Sequence, residues 1–113
     1  MSPLDDLRAI LDPAAIVTDP QVTAPHLTDW RGKHRGAALA LLRPRNVEEV
    51  STILRWASAT LTPVVPQGGN TGLSGGATPD DSGEAVVLSL ARLNRVRAID
   101  TAGDTLTAEA GCI

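Results

Sequence analysis

Pro66-Gln67-Gly68-Gly69-Asn70-Thr71-Gly72-Leu73-Ser74-Gly75-Gly76-Ala77 directly follows a short strand-like run, Pro63-Val64-Val65-Pro66. Five of the nine residues from Gly68 to Gly76 are glycine. Such density weakens any ordered loop, because glycine loses more backbone freedom on folding than other residues do. It provides a backbone that can reach φ > 0 and be approached closely, so that successive N–H groups converge on an anion. Asn70, Thr71 and Ser74 add short hydrogen-bonding side chains. No Lys or Arg occurs between Arg55 and Arg92, so an anion held here is held mainly by neutral donors. Each hydrogen bond to a charged phosphate contributes about 1.5–3 kcal/mol net, and three or four suffice for a tight cofactor.

Other readings of the loop stay open on the residues alone. A mobile Gly/Ser turn without a ligand is common between strands. Gly-x-x-x-x-Gly-Lys and Gly-x-Gly-x-x-Gly are both absent, so neither the Walker loop nor the Rossmann fingerprint applies. Gly69-Asn70-Thr71-Gly72 fits the GxxG of KH modules, which clamps a nucleic-acid backbone. That short motif supports an alternative: a non-catalytic α/β module binding a nucleotide or RNA.

Upstream of the loop, Asn46 with Glu49 makes a capping-box arrangement and predicts a helix start. Val47, Val50, Leu54, Ala57 and Leu61 recur as its apolar stripe, and Thr62-Pro63 ends it. Ala37–Leu42 before it and Pro63–Pro66 after it read as short buried strands. Strand, helix and strand make a βαβ unit with parallel strands and a right-handed crossover. Ligands of such sheets bind beyond the carboxyl ends of strands, where the loop lies.

Downstream, Ala85–Leu90 reads as a further buried strand. Val96–Ile99 and Thr105–Ala110 form a hairpin around Ala102-Gly103-Asp104, with Leu106, Ala108 and Ala110 on one face. Toward the N-terminus, Ser2 caps a helix carrying Leu4, Leu7 and Leu11, which Asp12-Pro13 stops. Residues 17–36 read as irregular. The chain divides into a lead-in, residues 1–36, and a partial domain, residues 37–113.

Apolar residues make up 42% of the 113, yet none is Phe or Tyr and only Trp30 and Trp56 are aromatic. The core is therefore built mainly of Ala, Val, Leu and Ile. A net charge of −3 with interspersed signs lacks the clustered basic face of a nucleic-acid binder. A lone Cys112 excludes an internal disulfide and fits a reducing compartment. No signal-peptide pattern and no membrane span is present, and the first thirty residues hold one basic residue, Arg8. The expectation is a cytoplasmic protein.

The loop resembles the pyrophosphate loop of the vanillyl-alcohol oxidase type of flavoprotein. Asp29-Trp30-Arg31-Gly32, Leu42-Arg43-Pro44-Arg45, Glu48-Glu49-Val50, Leu88–Val96 and Ala108-Glu109-Ala110-Gly111-Cys112 follow in order and are similar to the 2-hydroxy-acid dehydrogenase branch. That branch includes D-2-hydroxyglutarate dehydrogenase, flavin-dependent D-lactate dehydrogenase and the glycolate oxidase flavin subunit. The resemblance implies an α+β fold: the first half of a two-part FAD-binding domain of the PCMH/VAO type, preceding a cap domain. It implies that Gly68, Gly69, Asn70, Thr71 and Gly72 wrap the FAD pyrophosphate, that Gly75 and Gly76 shape the loop's return, and that Pro66 sets its entry. Ser89, Ala110 and Gly111 would lie along the flavin. The activity implied is oxidation of a D-2-hydroxy acid to the 2-oxo acid by hydride transfer to flavin N5, with the electron acceptor open. The family's catalytic His, substrate Arg and metal ligands belong to a later part, so no catalytic residue and no metal ligand is assigned here.

His26 and His34 read as surface or locally bonded side chains, Cys112 as a small packed hydrophobe rather than a flavin attachment point, and Trp56 as packed against the sheet. Trp30 is expected to pack over or under the loop. Asp80-Asp81-Ser82-Gly83 reads as a solvated turn, and Arg92 and Arg95 as members of a surface turn. Gly111-Cys112-Ile113 reads as the start of a further element, so the chain is expected to be truncated. Purified alone, it should hold FAD weakly or not at all; a yellow sample with stoichiometric flavin would refute this.

Overall fold

The computed structural model describes residues 3–113; a cap at Ser2 lies outside the described residues. The chain runs α1 (Pro3–Arg8), β1 (Ile16–Val17), α2 (Pro20–Thr23), β2 (Ala40–Leu42), α3 (Val47–Thr60), β3 (Val64–Gln67), β4 (Val86–Ser89), β5 (Val96–Asp100) and β6 (Thr105–Ala108).

The start of α3 follows from its cap. Asn46 Oδ1 accepts the Glu49 N–H at 2.8 Å, satisfying a donor the helix cannot. Glu49 returns its carboxylate one residue further back than a capping box requires, to the Arg45 N–H at 2.8 Å. At the far end Leu61 turns left-handed, with φ 55°. The N–H of Thr62 closes onto the Ala57 carbonyl at 3.0 Å, and Pro63 prevents continuation.

The buried face of α3 differs from the expected stripe. Of the expected stripe, Ala57 is buried and Val50 packs half-buried against the core, but Val47, Leu54 and Leu61 are exposed, Leu61 to 88%, and Ile53 and Trp56 are buried in their place. Both sets satisfy a 3.6-residue period, and their faces differ by about one residue's rotation. Trp56 decides between them. Its ring has the largest apolar area to bury, and its indole N–H donates to the Pro3 carbonyl at 2.8 Å. That bond fastens α1 to α3. α1 itself ends at Arg8, before the expected stop at Asp12, although Leu11 is still buried.

β1, β2, β4 and β3 form one sheet in that order. β2 and β3 each pair parallel to β4, which lies between them, and β1 pairs antiparallel to β2. The strands joined by α3 are thus parallel, as expected, but not neighbours. β1 and α2 fall in or beside a stretch whose sequence reads as irregular; each has only two to four residues, too few for a periodic signal. Leu4, Leu7 and Leu11 pack with Ile53, Trp56 and Ala57 over Ala40, Leu42, Val86 and Leu88. Burying each Leu contributes about 1.5–3 kcal/mol relative to exposure.

β5 and β6 form a separate antiparallel pair. Asp100 Oδ1 accepts the Ala102 and Gly103 N–H groups, each at 3.1 Å, to shape the turn. Glu109 accepts the Arg95 N–H at 3.0 Å and pairs with Arg97 at 2.9 Å, joining the two ends. Every residue of both strands is exposed, including the facing pair Ile99 and Leu106. The apolar face of Leu106 and Ala108 therefore covers no core among the described residues, and Ala110 lies past the end of β6.

The α3 faces can be tested by truncation. Ile53→Ala should lower stability by about 2–5 kcal/mol, whereas Leu54→Ala should change it by roughly 0.5 kcal/mol or less, as read by denaturant unfolding.

Candidate functional site

β3 ends at Gln67, and the Gly-rich loop leaves from the carboxyl end of a parallel strand, where α/β sheets bind ligands. Pro66 lies within β3, paired with Leu88, rather than in the turn into the loop. β3 is an edge strand, so a residue without an N–H is tolerated.

Gln67 is 1% exposed. A buried carboxamide needs partners for both donors and its acceptor. Its Nε2 donates to the carbonyls of His26 (2.9 Å) and Ala77 (3.0 Å). Its Oε1 lies 2.6 Å from His26 Nδ1. Since Nε2 faces two carbonyls, Oε1 must accept, and His26 must carry its proton on Nδ1. Asn70, at φ 57°, donates through Nδ2 to the carbonyls of Thr28 (2.9 Å) and Pro25 (3.3 Å). The Asn70 side chain therefore holds the loop to the lead-in. His26 is bonded 41 residues away rather than locally. The sequence signal for this was a Gln ending an otherwise apolar strand.

The lead-in folds back on itself from Thr28 to Arg35. Asp29 is buried, its Oδ1 accepting the His34 N–H at 3.0 Å, while its Oδ2 is buried without a partner. Trp30 beside it is 69% exposed, because the turn buries Asp29 and sends its neighbour outward. The ring of His34 abuts Gly75, where a Cβ would stand 2.8 Å from Cδ2. Lys33 and Arg35 line the same hollow as Gly75, so cations reach the loop's return from outside the stretch Arg55 to Arg92.

The glycines divide sharply. Gly75 has φ 77° and His34 against it. At Gly68, Gly69, Gly72 and Gly76 a Cβ would meet nothing within 4 Å, and none has positive φ. The expected need for φ > 0 thus holds within the loop at Gly75 and Asn70 alone. Gly111 is different again: a Cβ there would overlap the carbonyls of Leu90 and Leu93, and its N–H donates to Leu93 at 2.8 Å.

Gly68 and Gly69 share a cleft of about 340 Å³ with Ala91, Asn94, Val96, Gly111 and Cys112. Three of the expected contact residues, Gly68, Gly69 and Gly111, are thereby brought together across some forty residues of sequence. Thr71, Gly72 and Gly76 are exposed along the loop, and Ala110 is exposed outside the cleft. Ser89 is buried and does not line the cleft; its hydroxyl accepts the Ala91 N–H at 3.4 Å. Cys112 is half-buried at the cleft wall. Arg92 donates to the Arg43 carbonyl at 3.0 Å, a structural tie. Bare backbone at Gly68 and Gly69 and exposed hydroxyls along the loop suit a phosphate-bearing ligand. Among the described residues no His/Cys/Asp/Glu group could hold a metal, and no helix is long and apolar enough to cross a membrane.

The profile of a family described as FAD binding domain matches residues 38–113. The chain belongs to that family. It is 40% identical over 111 residues to the mitochondrial D-2-hydroxyglutarate dehydrogenase of Bos taurus, covering 96% of this chain and 20% of that protein. It is 44% identical over 94 residues to the D-2-hydroxyglutarate dehydrogenase of Xanthomonas citri pv. viticola, covering 83% of this chain and 20% of that one. Its fold matches alkyldihydroxyacetonephosphate synthase with a TM-score of 0.83 at 21% identity, over 98% of this chain and 22% of that chain. The chain therefore spans about a fifth of the length of these relatives. The GxxG alternative rested on four residues; the family match covers about two-thirds of the chain.

Asp29 yields a pH prediction. The His34 N–H, more than any other group, holds its carboxyl below the ordinary value, against the opposing effect of burial. A depressed folded value means that the stabilisation is present above the unfolded value, near about 3.9. It is lost as pH falls through the folded value. Hydrogen-exchange protection of the His34 amide should hold from neutrality to about pH 4 and fall below it. In Asp29→Asn that step should vanish; a wild-type profile flat to about pH 2 would count against the assignment.

Proposed function

We propose that this chain forms the leading part of the FAD-binding domain of a flavin-dependent oxidoreductase. Its substrate is a D-2-hydroxy acid such as D-2-hydroxyglutarate, D-lactate or glycolate, and its product the 2-oxo acid. The observation that carries the loop assignment is that Gly68, Gly69, Gly72 and Gly76 have no internal reason to be glycine. Neither their backbone angles nor their neighbours exclude a side chain. A ligand lying directly on their backbone supplies the missing reason. The substrate class is supported by the resemblance of the flanking segments and by relatives named for D-2-hydroxyglutarate.

FAD, when bound, supplies N5 as acceptor of the substrate's C2 hydride. This chain's residues bind and orient. In this reading, Gly68, Gly69, Asn70, Thr71 and Gly72 offer backbone N–H groups, with the Thr71 hydroxyl, to the diphosphate. Gln67 fixes the loop's entry, with Pro66 one residue earlier inside β3, and Gly75 and Gly76 fix its return. Ser89, Ala110 and Gly111 lie along the flavin. No residue here is assigned to proton transfer, and the electron acceptor is left open. The lead-in of residues 1–36, the domain segment 37–113 and a cytoplasmic site of action belong to the same reading.

Gly69→Val tests it, since a Cβ at this position meets nothing within 4 Å in the chain. In the full-length gene product it should abolish flavin retention while the apoprotein's melting temperature stays within about 2 °C. Full flavin content in the variant would refute the loop assignment.

A further inference from the structure

We propose that the lead-in segment from Pro25 to Thr28 is a positioning strap for the phosphate loop, and that His26, Gln67 and Asn70 are its positioning residues. The inference rests on the reading of the loop as the flavin diphosphate site. The family match begins at residue 38, so it assigns nothing to Pro25, His26 or Thr28.

Five hydrogen bonds carry the argument. Gln67, at the loop's entry, bonds the His26 carbonyl, the His26 ring and the Ala77 carbonyl at the loop's exit. One buried side chain thus fixes both ends of the loop to each other and to the strap. Asn70, inside the loop, bonds the carbonyls of Pro25 and Thr28. These side-chain bonds leave the backbone N–H groups of the loop unaddressed by the strap. A loop with five glycines in nine residues samples many conformations when free, and ordering it on binding weakens affinity. A strap that orders the loop beforehand removes that loss.

The test uses the full-length gene product, stripped of flavin and titrated with FAD, with association and dissociation rates measured separately. Asn70→Gly keeps a residue compatible with the φ of 57° and removes both bonds to the strap. It should weaken FAD binding at least ten-fold while the apoprotein's melting temperature moves little. His26→Ala should weaken binding at least as much and also lower the apoprotein's melting temperature, because it leaves the buried Gln67 Oε1 without its partner. His26→Asn, whose amide nitrogen can stand where Nδ1 stands, should restore most of the affinity. Limited proteolysis of the apoprotein should cut within residues 68–76 faster in the two weakened variants. Wild-type affinity in both Asn70→Gly and His26→Ala would overturn the strap alone. So would weakening in His26→Asn equal to that in His26→Ala. A wild-type protein that takes up no FAD would remove the loop reading, and the strap with it.

Discussion

The loop's geometry depends on one carboxamide withdrawn from water. A polar group buried as deeply as Gln67 is tolerated only if its hydrogen-bonding capacity is met. Three groups meet it: a carbonyl and a ring nitrogen of His26 and a carbonyl of Ala77. None is near in sequence. The strand end, the loop's exit and the lead-in must therefore converge at one point. Failure at any of the three leaves an unsatisfied buried dipole, at about 1–3 kcal/mol. Asn70 repeats the device on a smaller scale.

Legibility followed the range of the interactions. The start of α3 was readable because Asn46 and Glu49 are three residues apart and act on each other directly. The strands around Val64 and Val86 were readable from short apolar runs, and the loop from its glycines. The face of α3 was not, because Ile53 and Leu54 are adjacent and both apolar. Only the partner surface, with Pro3 waiting for the Trp56 indole, picks one. The order of the sheet was not readable either, because nothing in β2 or β3 alone announces that β4 will come between them. His26 read as a surface or local side chain because its partner is 41 residues away.

The site showed the same division. Glycine as a residue type suggested close backbone approach, but the letter G carried several different physical reasons. Gly111 is a packing glycine, set by the carbonyls of Leu90 and Leu93, and Gly36 is another, set by Pro79 and Asp80. Gly75 answers to its backbone angle and to His34. The remaining loop glycines answer to nothing inside the chain. Sequence alone cannot sort these classes, because the sorting depends on what stands opposite each α-carbon.

The β5–β6 hairpin has a colloidal consequence. Each strand has one partner and one free edge among the described residues, and the pair presents Val96, Ile99 and Leu106 to solvent. β1 has only two residues and β3 carries Pro66, so the larger sheet has blunted borders. The hairpin is interrupted only by an irregularity between Val96 and Ala98, and beyond it the paired strands offer a template for intermolecular β-addition. Concentrated solutions of this chain by itself should self-associate through that ribbon, and a charged residue in place of Ile99 should keep them clear.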